Sequence, residues 1–247
     1  IMNNSDQGNA LSESMMSILM DEIKDASSDQ SIKVIVLAAN GNVFCSGHDL
    51  KEITAARENE DSGEIYFKNL FDSCSTLMQL IVNTPQPVIA EVDGIATAAG
   101  CQLVASCDLA IASHESKFAT PGVNIGLFCS TPMVALSRNV NKKNAMEMLL
   151  TGDFINAEKA KAIGLINNMV QKEELTFEVN KLAEKIASKS SMTVSIGKKA
   201  FYAQAEMDLS KAYKYTSKTM KDNVLKYDAK EGINAFIEKR SPAWKDE

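Results

Sequence analysis

The sequence predicts an α/β core followed by a helical region in the same domain. Three short, continuously apolar runs are typical of strands in a sheet that is covered on both faces: 32–39 (IKVIVLAA), 87–92 (PVIAEV) and 109–113 (LAIAS). Helical patterns lie between these runs, and this alternation indicates βαβ units. No linker rich in Pro, Gly or Ser follows the core, so residues 1–141 and 142–247 are predicted to pack as one domain.

Apolar stripes predict the helices in order along the chain. Apolar residues recur at helical spacing from Leu11 to Ile23 and from Ile65 to Ile81, and 101–107 fits a helix with its apolar residues facing inward. The remaining expected elements are helices at 142–151, 156–163, 172–189, 191–205, 208–227 and 229–239, and a strand at 165–170. The helical region must cover its apolar faces, and a neighbouring subunit is a good candidate for this role.

The composition is that of an ordinary globular protein. Of the 247 residues, 45% are hydrophobic and 23% are charged, and no apolar run reaches the roughly 18 residues that a membrane span needs. The five cysteines form no CxxC pair and the chain has only two histidines, which indicates reduced thiols and argues against a metal site. The net charge of −6 argues against non-specific nucleic-acid binding.

The stretch VFCSGHDLKE (43–52) follows the first predicted strand after an Asn-Gly turn. Gly47 permits backbone conformations that are closed to other residues, so main-chain N–H groups here could face a ligand. Cys45 and His48 are three positions apart and could form a Cys–His nucleophile, although no orienting partner is recognisable. An ordinary turn explains the stretch better than that nucleophile does.

A run of very small residues, ATAAG (96–100), leads into the predicted helix CQLVASC (101–107). Such small side chains let a ligand or another backbone approach the helix N-terminus, where unpaired N–H groups and the helix dipole favour negative charge. That is the geometry of an oxyanion site. Tight helix packing explains the small residues equally well.

A loop punctuated by Pro and Gly, FATPGVNIGLFCS (118–130), follows the third predicted strand. Loops at the carboxyl ends of strands hold ligands in open α/β sheets, so this loop is a further candidate for ligand contact. A plain turn would also explain its composition.

In this order and spacing, the three stretches resemble the signatures of the crotonase family, the enoyl-CoA hydratase/isomerase superfamily. VFCSGHDLKE is similar to the first signature, VDGIATAAGCQLVASCDLAIAS (92–113) to the second, and KFATPGVNIGLF (117–128) to the third. The segment EGINAFIEKRSPAWKD (231–246) is similar to the family's usual C-terminal end. The resemblance covers essentially the whole chain from Asn9, and we expect a short β-hairpin that members carry before that point to be missing.

The resemblance implies a spiral of ββα units with a C-terminal helical trimerisation region, assembled as a homotrimer or a dimer of trimers. It implies an acyl-CoA or enoyl-CoA thioester as ligand, with coenzyme A as part of the substrate and no tightly bound cofactor. The two oxyanion donors would be the backbone N–H groups of His48 and Ala99. These groups would stabilise the negative charge that the thioester oxygen gains as an enolate forms.

The same resemblance implies where coenzyme A would be held. The positions that contact its nucleotide part are here Ser46, Gly47, Asp49 and Lys51, together with Phe236 and Lys239 from a neighbouring subunit.

Two departures from the family pattern concern the chemistry. Hydratases of the family use two glutamates to hold and activate a water, and here those positions are Gln102 and Gly122. An amide can orient a water but cannot accept its proton, and glycine offers no group at all. General acid–base catalysis is typically worth about 10²- to 10⁴-fold per group, so we expect ordinary hydration to be very slow.

Three replacements for the lost carboxylates are open. Ser130 falls where some family members place an aspartate, and its hydroxyl could hold a water. An anion bound near Gly122 could take the place of the carboxylate, as bicarbonate does in the naphthoate-synthase branch. Asn124, His114 or Glu115 could swing in, although the surrounding sequence indicates a solvated turn for the last two.

The sequence therefore predicts a crotonase-family enzyme, a lyase or isomerase acting on CoA thioesters. The alternative is a non-catalytic acyl-CoA-binding or assembly protein that keeps the fold. A third hypothesis is an RNA-binding relative, for which a stripe of lysines at helical spacing could supply charge, but a solvated helix face explains that stripe better. We expect a cytoplasmic location, or the mitochondrial matrix if a leader was removed, and no membrane association.

Overall fold

The computed structural model describes residues 1–247 and contains two four-stranded sheets surrounded by helices. The strands are β1 (Ile35–Leu37), β2 (Val43–Cys45), β3 (Val88–Val92), β4 (Ile95–Thr97), β5 (Leu109–Ser113), β6 (Lys117–Ala119), β7 (Ile155–Asn156) and β8 (Asn168–Val170). The helices are α1 (Glu13–Ser28), α2 (Leu50–Ala56), α3 (Glu64–Asn83), α4 (Ala99–Ser106), α5 (Pro132–Asn139), α6 (Lys142–Thr151), α7 (Ala157–Ala162), α8 (Leu175–Ala187), α9 (Ser191–Ala205), α10 (Leu209–Val224) and α11 (Tyr227–Glu238).

The repeating unit is ββα, and each unit gives one strand to each sheet. The first sheet has the order β1-β3-β5-β8 and the second β2-β4-β6-β7, with all neighbours parallel except β6 and β7. The βαβ unit predicted from the apolar pattern is therefore wrong, whereas the ββα spiral implied by the family resemblance is confirmed. The pattern does not predict the second strand of each unit, because three residues are too few to show a period of two.

The first sheet is covered on both faces, as its continuous apolar strands predict. Ile89 and Ile111 pack with Val179 of α8 in a small cluster on one face. Val88 and Ala90, which alternate with Ile89 along β3, belong instead to the main core of 37 buried residues. Burial on both faces explains why these strands contain so few polar residues.

The helices after residue 141 form close to their predicted limits. Four of them begin where a polar N-cap side chain accepts a hydrogen bond from the backbone N–H three residues on: Asn141 for α6, Asn156 for α7, Ser190 for α9 and Asp208 for α10. No helix combines the length and apolar character that crossing a membrane requires. Large apolar side chains stay exposed in this region, among them Phe201, Leu209, Tyr213, Leu225, Phe236 and Ile237.

A buried ion pair between Lys198 and Asp108 links the helical region to the core. The Nζ atom of Lys198 in α9 lies 2.7 Å from Asp108 Oδ2 and donates to the carbonyl groups of Ile81 and Gln86 at 3.0 and 2.9 Å. The Tyr202 hydroxyl donates to the other oxygen of Asp108 at 2.9 Å. The Lys198 side chain is only 6% exposed. The Val88 N–H also donates to Asp108 Oδ2 at 2.7 Å, but Lys198 is the cation that pairs with this carboxylate. Loss of Lys198 therefore leaves the Asp108 charge largely buried without a counter-charge.

The substitution Lys198→Met is expected to lower the free energy of unfolding by about 3–5 kcal/mol, because it leaves the Asp108 carboxylate buried without its cation. Urea unfolding at fixed protein concentration measures this change. Lys181→Met is the matched control: Lys181 is 64% exposed and pairs with Glu178 at 3.0 Å. The control should change the same free energy by no more than about 0.5 kcal/mol. Equal effects of the two substitutions would contradict the structural role of the buried pair.

Candidate active site

The three loops singled out in the sequence meet at one edge of the second sheet. Strands β2, β4 and β6 lie side by side in parallel, so their carboxyl ends share one edge. The segments that follow these ends are 46–49, 98–99 and 120–128. The carboxyl ends of parallel strands are the usual ligand-binding edge of α/β sheets.

Gly47 brings the first two segments into direct backbone contact. Its φ is +94°, and a Cβ atom at this position would lie 2.9 Å from the Ala98 Cβ and 3.3 Å from the Ala99 nitrogen. The Thr97 hydroxyl reinforces the contact by donating to the Ser46 carbonyl at 3.0 Å. Glycine is therefore required here for two independent reasons, the backbone conformation and the lack of space.

Ala99 is the first residue of α4, so its N–H has no acceptor within the helix. The preceding Ala98 has φ 51° and ψ −119°, a conformation that residues with a side chain rarely adopt. Strain of this kind persists where the surrounding structure fixes it and is concentrated at functional sites. Here it turns the chain sharply between β4 and α4, and the helix N-terminus lies at the strand ends.

Helix α4 is buried on all sides, which corrects the prediction of an amphipathic helix. All eight of its residues are buried. The closest packing is at Gly100, where any Cβ atom would overlap the Cys45 carbonyl group. The small residues of 96–100 therefore serve tight packing, which confirms one of the two interpretations left open by the sequence. Access of a ligand to the helix N-terminus stays a prediction.

His48 is held on two sides. The Leu11 N–H donates to the Gly47 carbonyl at 2.7 Å, and the His48 Nδ1 lies 3.3 Å from the Leu11 carbonyl oxygen. The imidazole meets the ring of Phe71 in α3 edge-on, with centroids 5.6 Å apart. The backbone N–H of His48 donates to no group of the chain. Burial lowers the pKa of the imidazole, so the neutral form prevails at neutral pH.

Gln102, the position of the first hydratase glutamate, faces α3. Its side chain is 4% exposed, and its Oε1 accepts from the Cys74 thiol at 3.8 Å. Its amide nitrogen donates to no group of the chain. Burial raises the pKa of Cys74 to about 12, so this neighbour is a neutral thiol.

The space beside Gly122, the position of the second hydratase glutamate, is filled by the chain itself. A Cβ atom there would lie 2.6 Å from the Leu127 carbonyl oxygen and 2.9 Å from the Cys129 sulfur. The loop is closed by a hydrogen bond of 2.9 Å from the Leu127 N–H to the Gly122 carbonyl. A side chain at position 122 cannot enter without moving this loop, and an anion near Gly122 would have to lie outside that space.

The other candidate bases lie away from the strand ends or are exposed. Ser130 is exposed, and its hydroxyl donates to the Phe128 carbonyl at 3.3 Å. Asn124 is also exposed. His114 and Glu115 are exposed in a turn between β5 and β6, as the sequence predicts.

The Cys–His nucleophile, which the sequence made the weaker interpretation, finds no support in the structure. The Cys45 side chain is fully buried, and desolvation raises the pKa of its thiol to about 12. A thiol of this kind is protonated at neutral pH and is not a nucleophile.

The predicted coenzyme A positions fall into two groups. Ser46 and Lys51 are exposed beside the strand end, whereas the Asp49 carboxylate caps α2 by accepting from the Lys51 N–H at 2.7 Å. Phe236 and Lys239 lie at the end of α11, which packs mainly on α10, and Phe236 is 85% exposed. Within one chain no hydrogen bond joins the two groups. That a neighbouring subunit supplies Phe236 and Lys239 stays a prediction.

Two spatial neighbours of the site were not predicted as such. Leu11 lies 37 positions before His48, and Phe71 belongs to a helix predicted only from its buried stripe. A large aromatic residue beside the buried stripe of a helix is a sequence signal that could have pointed to Phe71, whose side chain is 39% exposed. Long-range pairing of this kind has no signature in a single sequence.

Two sheets wound from ββα units, with a loop cluster at the strand ends of the second sheet, define the crotonase class of folds. The sequence profile of the enoyl-CoA hydratase/isomerase family matches residues 1–247. The chain is 50% identical over 244 residues to the mitochondrial enoyl-CoA hydratase domain-containing protein 3 of Xenopus laevis, covering 99% of this chain and 81% of that protein.

Solved structures agree with this assignment. The structure of human enoyl-CoA hydratase domain-containing protein 3 matches with a TM-score of 0.93 and 50% identity, over 98% of this chain and 95% of the human one. A Mycobacterium smegmatis enoyl-CoA hydratase matches with a TM-score of 0.92 and 47% identity, over 97% of this chain and 91% of that one. The chain belongs to the enoyl-CoA hydratase/isomerase family, within the crotonase superfamily.

The closed space beside Gly122 predicts that even one methyl group is not tolerated there. Gly122→Ala is expected to lower the free energy of unfolding by about 1–3 kcal/mol through overpacking. Gly197→Ala is the matched control, since a Cβ atom on this helical glycine meets nothing within 4 Å. That control should raise the same free energy by about 0.5–1 kcal/mol. Urea unfolding measures both, and an unchanged stability of Gly122→Ala would show that the loop is open.

Proposed function

We propose that the chain binds an acyl-CoA or enoyl-CoA thioester, with the carbonyl oxygen between the backbone N–H groups of His48 and Ala99. The observation that carries the proposal is the close packing at Gly47, where an added Cβ atom would lie only 3.3 Å from the Ala99 nitrogen. Both N–H groups are main-chain donors, so the side chains at positions 48 and 99 do not decide whether the pair can form. One such donor is worth about 10²- to 10³-fold in kcat when negative charge develops on an oxygen.

The chemistry that this site supports is enolate formation rather than ordinary hydration. Gln102 and Gly122 leave the positions of both hydratase glutamates without a carboxylate, and the loop fills the space at the second position. Hydration needs a water that is held and deprotonated, whereas isomerisation needs one group that moves a proton. The family, enoyl-CoA hydratase/isomerase, supports an enoyl-CoA substrate and includes isomerisation among its reactions.

The alternative function is non-catalytic: an acyl-CoA-binding or assembly protein. The observation that favours it is again the neutral pair Gln102 and Gly122. In this case the backbone N–H groups of His48 and Ala99 would contribute only to the affinity for the thioester, and the thioester would not be converted.

Coenzyme A and a homotrimer or dimer of trimers complete the proposal. Lys51 and Ser46 are exposed next to Gly47 and are available for the nucleotide part, whereas Asp49 is already engaged in capping α2. The exposed apolar side chains of the helical region support a neighbouring subunit, from which Phe236 and Lys239 would reach the ligand. The mitochondrial Xenopus relative supports a mitochondrial location, for which we propose the matrix, with the cytoplasm as the alternative.

RNA binding receives no support from the lysine stripe of α10. Lys211 pairs with Asp208 at 2.8 Å, and Lys218 and Lys221 both pair with Asp222, at 2.7 and 2.9 Å. These two carboxylates offset two of the four positive charges of the stripe, which lowers the charge available to a phosphate backbone.

Turnover of a panel of enoyl-CoA and acyl-CoA thioesters separates the two functions. An enzyme is expected to convert at least one 3-enoyl-CoA faster than it hydrates the 2-enoyl-CoA. Binding of acyl-CoA without any conversion would support the non-catalytic alternative. Absence of both binding and conversion would end the proposal.

Gly47→Ala is expected to displace the Ala99 N–H and to weaken binding of acetoacetyl-CoA by about tenfold or more relative to free coenzyme A. Calorimetric titration of the two ligands measures this selectivity. Gly164→Ala is the matched control: its φ is +85°, close to that of Gly47, but its nearest neighbour, the Asn139 carbonyl oxygen, lies at 3.4 Å. The control carries the same backbone strain away from the site and should leave the selectivity unchanged. An equal loss in both variants would refute the role of the Gly47 contact.

A further inference from the structure

The His48 imidazole is a titratable side chain at the site that the proposed function does not use. Its Nε2 atom is buried and has no hydrogen-bond partner. A buried polar atom without a partner is destabilising, and native structures retain few of them. The proposed function needs only the backbone N–H of this residue, so the imidazole itself calls for an explanation.

The contact with Leu11 fixes which nitrogen carries the proton. The Leu11 carbonyl oxygen can only accept, so the His48 Nδ1, 3.3 Å away, is the donor in this hydrogen bond. In a neutral imidazole the other nitrogen then has a free lone pair. Nε2 is therefore a base, and Leu11, itself fully buried, keeps the ring in one orientation.

The imidazole and the Gln102 amide face the same stretch of α3. The imidazole meets Phe71, and Gln102 accepts from Cys74, which lies one turn further along the same helix. Gln102 is on the first turn of α4, whose N-terminal residue is Ala99. Both side chains thus lie between α3 and the strand ends, next to the oxyanion donors, and each keeps one nitrogen without a partner in the chain.

We propose that His48 is a catalytic residue, the single base that moves a proton on a bound thioester, with Gln102 orienting the acyl group beside it. This rests on the proposed function. In the forward step Nε2 takes a proton from the carbon next to the thioester carbonyl, and the C–H electron pair moves through that carbon onto the oxygen bound by the two N–H groups. In the return step the imidazolium gives the proton to carbon γ of a 3-enoyl-CoA, which becomes a 2-enoyl-CoA.

The reaction is balanced without water or another reactant, because one proton leaves carbon α and one proton arrives at carbon γ. It needs one titratable group, which is what this site contains. The Phe71 ring covers the imidazole and is 39% exposed on its helix, so the acyl chain reaches Nε2 once this ring turns aside.

The groups around the imidazole predict its pH dependence. Glu52 of α2 is the charged group that acts on it, and this carboxylate is engaged by the Glu13 N–H at 3.1 Å and the Tyr66 hydroxyl at 3.2 Å. From the α3 side the imidazole meets the uncharged Phe71 ring. Burial lowers the His48 pKa, so the base form should be lost only as the pH falls below about 6.5.

The test is exchange of the α-hydrogen of butyryl-CoA in D₂O, followed by NMR, together with isomerisation of 3-hexenoyl-CoA. His48→Ala removes the imidazole but keeps the peptide N–H. We expect its affinity for butyryl-CoA to stay within about threefold, while exchange and isomerisation fall by about 10²-fold or more and added imidazole restores part of the rate. The control is His114→Ala, at the other histidine of the chain, which lies exposed in a surface turn.

The outcomes separate this inference from the proposed function. A native protein that binds no thioester defeats the proposed function. A native protein that exchanges the α-hydrogen no faster than His48→Ala defeats the role of His48 alone. The native rate should fall at acid pH through a pKa below about 6.5, and a pH-independent rate would also defeat that role.

A second measurement needs no variant of His48. With only two histidines, ¹⁵N-histidine spectra of the native protein contain two ring systems, and His114→Ala assigns them. We expect His48 to carry its proton on Nδ1 at neutral pH and its Nε2 signal to shift when butyryl-CoA binds. A proton on Nε2, or an Nε2 signal that does not respond to the thioester, would overturn the inference.

Discussion

The whole site depends on one constraint, the direct approach of the backbone before His48 to the N-terminus of α4. Gly47 and Gly100 permit this approach, because a Cβ atom on either would overlap the opposite segment. Ala98 adds a strained conformation of the kind that costs about 1–3 kcal/mol. The strain persists because α4 is buried along its whole length and cannot shift to relieve it. Strand pairing alone would place the two segments as neighbours, whereas the glycines allow the closer approach that the proposed pair of oxyanion donors requires.

Complete burial of α4 also explains why position 102 can carry an amide. A carboxylate that is 4% exposed beside a neutral thiol would pay a large desolvation cost unless a partner compensated it. Glutamine keeps the shape and the hydrogen bond from Cys74 without that cost. At position 122 the Leu127 carbonyl and the Cys129 sulfur of the same loop pack against the glycine. The two departures from the hydratase pattern therefore have different causes. The first changes the charge of a retained side chain, and the second removes the space for one.

The sequence predicts the first sheet, the helices and the residues of the three loops, because apolar periodicity and sequence motifs involve only residues that are close together in the chain. It does not predict the second sheet, whose strands of two or three residues carry too little periodicity, and yet this sheet brings His48, Ala99 and Gly122 to one edge. The resemblance to a family supplies that topology. It cannot supply the return of Leu127 onto Gly122 or the contacts of His48 with Leu11 and Phe71, since these depend on packing between segments far apart in the chain.

A site with a neutral base differs electrostatically from one with two carboxylates. When a carboxylate accepts a proton its charge disappears, whereas an imidazole becomes a cation next to the forming enolate. Burial opposes that cation, and each pH unit by which it lowers the His48 pKa makes proton transfer about 1.4 kcal/mol less favourable. Attraction between imidazolium and enolate acts in the opposite direction, and only while the thioester is bound. In the proposed role, the buried position of His48 would keep the imidazole neutral without substrate and would make acceptance of a proton conditional on a bound thioester.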